Sequence, residues 1–225
     1  MRRLFGIIIC FLLMVFHAEA QASGGTGTQP TNAMQNYRQG RDFEAQNRVS
    51  EANAHYNEAV RICLEEVSRN AATRDTYTVM TWTLQRQRKY TDVITWGERG
   101  LRIYSDEYRI VETMGEAFFY IGNYERSLFY MQRYTNALPE GERAATAFFF
   151  IGEIYRLAQK YHHADIAYTT ALRIEPSIAL WWYRLATVRE QVGDRRPAIE
   201  AYQQSLRLNP NYGEAREGLA RLQNN

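Results

Sequence analysis

The sequence is poor in cysteine, lysine and strand-forming patterns, and each shortage closes off a class of protein. Its 225 residues hold two cysteines, Cys10 and Cys63. Removal of the N-terminal segment considered below would leave Cys63 alone, so no disulfide within the chain is expected. Cys63 falls on the apolar side of a helical pattern, the place of a buried, inert thiol. Lys89 and Lys160 are the only lysines among 27 basic residues. The arginines alternate with acids and the formal net charge is +2, which excludes the basic stripe of a nucleic-acid-binding protein. Alternating Val, Ile and Thr runs joined by glycine turns are scarce, which argues against a β fold. Glycine-rich phosphate loops, nucleophile elbows and HExxH helices are missing too. His162, His163 and Asp165 cluster, yet no Cys or His stands at ligand spacing from them. No catalysis, metal or cofactor is expected.

What the chain does have is repetition. Phe148, Ile151, Gly152 and Tyr155, followed by Ala164, Tyr168, Ala171 and Pro176, recur 34 residues later. The second set is Trp182, Leu185, Ala186 and Arg189, followed by Ala198, Tyr202, Ser205 and Pro210. Each copy reads as two short helices. Gly152 and Ala164, or Ala186 and Ala198, let the two helices approach, and the aromatic residues fill the volume around the contact. Pro176 and Pro210 stand where the second helix must stop, because proline donates no backbone hydrogen bond. On this pattern Trp182 is expected to be buried between the helices of its pair.

The spacing and residue types resemble the tetratricopeptide repeat, with its 34-residue period and W-x2-L-G-x2-Y…A-x3-F…P pattern. The resemblance implies an all-α fold: a right-handed α-solenoid of about five helix pairs with a C-terminal capping helix. Looser copies extend it upstream, over residues 33–66, 74–107 and 108–141, ahead of those at 145–178 and 179–212. Residues 67–73 are extra to the period. So are about three residues in 140–143, because Pro139 and Pro176 lie 37 apart. The apolar run Ala59, Val60, Cys63, Leu64 and Val67 predicts a long second helix in the first copy. Residues 213–223 read as a lone cap, with Glu214, Arg216, Glu217 and Arg221 on a polar outer face.

Residues 1–20 read as a secretory signal peptide, with Arg2 and Arg3 before an apolar run at 4–16 and Ala18-Glu19-Ala20 as the cleavage site. The run is short against the roughly 20 residues that span a bilayer. Cleavage after Ala20 is therefore expected, followed by a flexible leader at 21–32 and no membrane span. N-x-[ST] sequons are lacking, which favours a bacterial periplasm or cell envelope over a eukaryotic lumen.

In the repeat family, residues just after the signature slots of each first helix line a concave groove. The resemblance assigns this role to Tyr37 and Arg41 in the first copy and Trp82 in the second. Glu112, Glu116 and Phe119 take it in the third, Phe149, Glu153 and Arg156 in the fourth, and Tyr183 in the fifth. The implied function is a scaffold or adaptor that binds a protein or peptide in the groove. The alternative is a carrier or sensor for a small hydrophobic ligand, working with a transporter. Some family members clamp a peptide's terminal carboxylate with Lys and Asn, but the matching slots here hold Tyr37, Arg41, Thr78, Trp82, Glu112 and Glu116. Three carboxylates among aromatic residues suit a basic, apolar partner segment. Arg109 and Arg156 are the arginines placed to neutralise them.

Overall fold

The computed structural model describes residues 32–224, and these form eleven α-helices and no strands. The expected signal peptide at 1–20 and all but the last residue of the leader lie outside the described residues. The first pair is α1 (Ala33–Ala45) and α2 (Val49–Ser68), and the second is α3 (Arg74–Arg86) and α4 (Tyr90–Ile103). The third is α5 (Tyr108–Tyr120) and α6 (Tyr124–Ala137), and the fourth α7 (Ala144–Leu157) and α8 (Tyr161–Ile174). The fifth is α9 (Ala179–Gln191) and α10 (Arg195–Leu208), after which α11 (Gly213–Asn224) stands alone. Helix α2 is the long one, because its apolar stripe runs on through Cys63.

One turn recurs in all five pairs. Asn47, Arg88, Gly122, Gln159 and Gly193 occupy the same repeat slot, and each has φ between 55° and 82°. The next residue donates its N–H back to a carbonyl five residues earlier, from Arg48 to Phe43 through to Asp194 to Arg189, at 2.8–2.9 Å. This is the Schellman closure of a helix, which needs one left-handed residue. It fixes the repeat phase even in 74–107, where the sequence pattern is weakest.

Each helix packs on its chain neighbours, and the first helices of successive pairs also touch: α1 on α3, α3 on α5, α5 on α7. The first helices thus form an inner layer and the second helices an outer one. Between the layers, Ala52, Val93, Ser127, Ala164 and Ala198 share a slot and are essentially inaccessible. Gly152 faces the ring of Tyr168 so closely that an added Cβ would sit 2.5 Å from it. Cys63 is wholly buried, and burial pushes its thiol up to about 12.

Trp182 departs from expectation. It is only partly buried, with its indole donating to the Pro176 carbonyl at 2.8 Å, so it wraps the loop that ends the preceding repeat. Its neighbour Trp181 is the buried ring, 7% exposed and stacked on Phe149 at 4.9 Å. Phe148, in the corresponding slot one repeat earlier, is likewise only partly buried.

Candidate binding site

Glutamates on the inner layer are held by a scheme that repeats. Tyr56 donates its hydroxyl to Glu44 at 2.6 Å, and Arg86 of the next pair reaches the same carboxylate at 2.6 Å. Desolvation opposes ionisation of Glu44, but the Tyr56 hydroxyl and Arg86 outweigh it and hold the carboxyl below its usual range. Tyr168 donates to Glu153, which also meets Arg156 at 2.8 Å and Arg184 of the next pair at 3.1 Å. Tyr202 donates to Glu190 at 2.5 Å, and Arg221 of the capping helix pairs with it at 3.2 Å. Burial first, then the adjoining carboxylate, pushes all three phenols well above their ordinary range.

The second and third pairs lack that tyrosine, with Gly97 and Met131 in its slot. Here the inner layer opens into a cavity of about 600 Å³. Tyr37 and Arg41 contribute from α1, and Trp82, Gln85 and Arg86 from α3. Helix α5 supplies Tyr108, Arg109, Glu112, Thr113 and Glu116. The far wall is Tyr134 and the extra loop, Leu138, Gly141, Glu142 and Arg143. The rings of Tyr37 and Trp82 lie 5.6 Å apart, and the Arg109 guanidinium sits 5.7 Å from the Trp82 ring centre.

Arg143 dominates the electrostatics. Its Nε lies 3.1 Å from Glu112 Oε1, and its Nη2 lies 2.5 Å from Glu116 Oε1. Gln85 donates to the other oxygen of Glu116 at 2.9 Å, while the buried Gln85 Oε1 has no hydrogen-bond partner among the described residues. Glu112 is 4% exposed. Burial, and then the charge of Glu116, raises its carboxyl well above the usual range, with Arg143 pulling the other way. Two acids share one guanidinium.

Five of the ten sequence-predicted groove residues meet at this cavity: Tyr37, Arg41, Trp82, Glu112 and Glu116. The other five do not line it. Phe119 packs edge-on against Phe150 at 5.0 Å, Phe149 stacks on Trp181, and Tyr183 packs against Tyr212 at 5.0 Å. These rings are occupied in seams between helices, so they supply no walls for the acids. Glu153 is closed by its tyrosine and arginines, and Arg156 borders a separate hollow of about 230 Å³ beside Tyr161 and Val188. Arg109 is not the neutralising arginine expected for the acid pair: it binds Glu107 at 2.7 Å and Asp75 at 2.9 Å. That residue is Arg143, and its signal in the sequence was the 37-residue gap that marked its loop as an insertion. A lining this rich in charge is a poor match to a small hydrophobic ligand. Among the described residues, no three His, Cys, Asp or Glu side chains converge as a metal site, and no helix is long and apolar enough to cross a membrane.

Five helix pairs in one phase, with a two-layer core and a terminal cap, define an α-helical repeat solenoid. Residues 145–178 and 182–212 match the family model of the tetratricopeptide repeat. Among solved structures, the fold is similar to that in the APC/C hetero-tetramer Cut9–Hcn1, with a TM-score of 0.69, 15% identity, and coverage of 84% of this chain and 36% of that one. It is also similar to MamA from Desulfovibrio magneticus, with a TM-score of 0.63, 15% identity, and coverage of 80% and 97%. A further MamA crystal structure gives 0.61 at 17% identity, covering 81% and 96%. At these identities the likeness is one of fold. Compared by sequence with curated proteins, the chain has no match.

Proposed function

We propose that the protein is an exported scaffold or adaptor of the periplasm or cell envelope, which binds a segment of another protein on its inner helix layer. The observation that carries the reading is the cavity lined by the first three pairs and the loop that follows them. It is the place where the inner layer is left open by the loss of the tyrosine that seals Glu44, Glu153 and Glu190. Trp82 and Tyr37 offer it aromatic surface of the kind that anchors a partner side chain. Glu112 and Glu116 beside them favour a partner segment that is both basic and apolar. Repeats of this family serve as protein-binding scaffolds, and no feature of the cavity calls for an enzyme.

The test is capture from an envelope extract of the native host, using the wild-type chain and a Tyr37→Ala/Trp82→Ala variant matched for helicity. A stoichiometric protein partner held by the first and lost by the second is the expected result. A partner held equally by both removes the cavity from consideration, and a co-purified lipid or metabolite supports the carrier alternative. Export is tested separately by mass spectrometry of the native protein, with an N-terminus at Gln21 expected. An intact Met1 contradicts it.

A further inference from the structure

We infer that Glu112 and Glu116 form a subsite for a single guanidinium, and that the 140–143 insertion is a strap whose Arg143 holds the place of an arginine side chain supplied by the partner. The inference rests on the binding reading above and specifies its chemistry. The subsite already demonstrates what it accepts, because the group seated in it is a guanidinium touching both carboxylates. That guanidinium is not part of the repeat. It comes from the irregular loop between α6 and α7, its side chain is 48% exposed, and its backbone N–H is tied to Tyr134 Oη at 3.2 Å. In the first, fourth and fifth pairs, by contrast, the inner glutamates are closed by a tyrosine and an arginine that belong to the helices themselves.

The subsite also has acceptors to spare. Two carboxylates share one cation, and Gln85 Oε1 beside Glu116 is buried without a donor among the described residues. An incoming arginine brings five N–H donors in a planar fork, enough to serve Glu116 and Gln85 together, whereas a lysine offers a point charge. The aromatic wall suits the same group, since Trp82 already lies near one guanidinium, that of Arg109. The partner's arginine and Arg143 therefore compete for one place, and the strap sets a threshold that a segment without arginine does not pass.

The probes are Nα-acetyl-arginine amide and its neutral isostere Nα-acetyl-citrulline amide, titrated into the full chain and read from the Trp82 indole NMR signal. The arginine amide is expected to bind about tenfold more tightly, as one charge-assisted contact allows. Arg143→Gln should tighten the arginine amide by a further factor of about ten and leave the citrulline amide unchanged. Glu116→Gln, checked for unchanged helicity, should abolish the preference. Equal binding of the two amides overturns the inference, and so does an Arg143→Gln variant that binds the arginine amide no more tightly than wild type. The captured partner separates this idea from the broader one. A partner lost by the Tyr37→Ala/Trp82→Ala variant but retained by Glu116→Gln leaves the binding reading standing and removes the guanidinium subsite.

Discussion

At the scale of single residues, neighbours in the chain have unlike roles. Trp181 fills a seam between α7 and α9, while Trp182 lies over a loop with one hydrogen bond to it. Trp181→Ala should cost about 3–5 kcal/mol, the range for emptying an aromatic core site. Trp182→Ala should cost about 1 kcal/mol. Urea melts of the two variants check the order, and a larger loss at Trp182 would mean that slot carries the core after all. Glu112 makes a second residue-scale prediction. Its folded-state carboxyl is raised by burial and by Glu116, so the folded chain keeps a proton that the unfolded chain releases above about pH 4.3. The stability this contributes is complete below that pH and is lost as pH rises toward the folded value. Glu112→Gln cannot ionise and escapes the loss. Its stability relative to wild type should climb as pH rises from 4 to 8. A flat difference across that range would contradict the raised carboxyl.

At the scale of elements, the turn inside each helix pair is the most regular feature of the chain, although its sequence is not. Glycine fills the left-handed slot at Gly122 and Gly193, but Asn47, Arg88 and Gln159 hold the same conformation with side chains attached. Gln159 is exposed, and among the described residues its side chain makes no hydrogen bond to offset the left-handed backbone. Gln159→Gly should stabilise the fold by about 1 kcal/mol, because only glycine enters that region freely. Thermal melts should register this as a rise of roughly 2–4 °C for a chain of this size. An unchanged or lower melting temperature would show that the loss of backbone freedom in the unfolded state matters more.

At the scale of the whole solenoid, stability is a chain of neighbour contacts, since the main helix contacts among the described residues run within a pair or between adjoining pairs. Repeat arrays of this kind depend on their ends. Helix α11 closes one end, with Gly218 against the Tyr202 ring and Arg221 on Glu190. Removing residues 213–224 should expose Tyr202 and unfold the fifth pair first. Hydrogen exchange is expected to lose protection in α9 and α10 while α3 to α6 keep theirs. Uniform loss along the chain would indicate a single cooperative unit instead.

The sequence by itself determined the helices, their pairing and most of their phase. These follow from spacing: small residues at 152, 164, 186 and 198, aromatic rings one or two turns away, and prolines at 176 and 210. Such contacts are local, and a local contact leaves its mark at a fixed interval. The tertiary structure decided which of the inner-layer residues stay open. Phe119, Phe149 and Tyr183 occupy the same slots as members of the cavity wall, yet each turns into a seam made by a neighbouring repeat. Glu153 follows the slot of Glu116 in the next repeat, but Tyr168 and Arg184 seal it, whereas Met131 leaves Glu116 to be reached from outside the repeat. Arg143 is the clearest case. The sequence marked its loop as an interruption of the period, but only the folded chain carries that loop across the end of α6 to the acids on α5. Which charge meets which depends on contacts between residues about 30 positions apart, and no interval in the sequence encodes them.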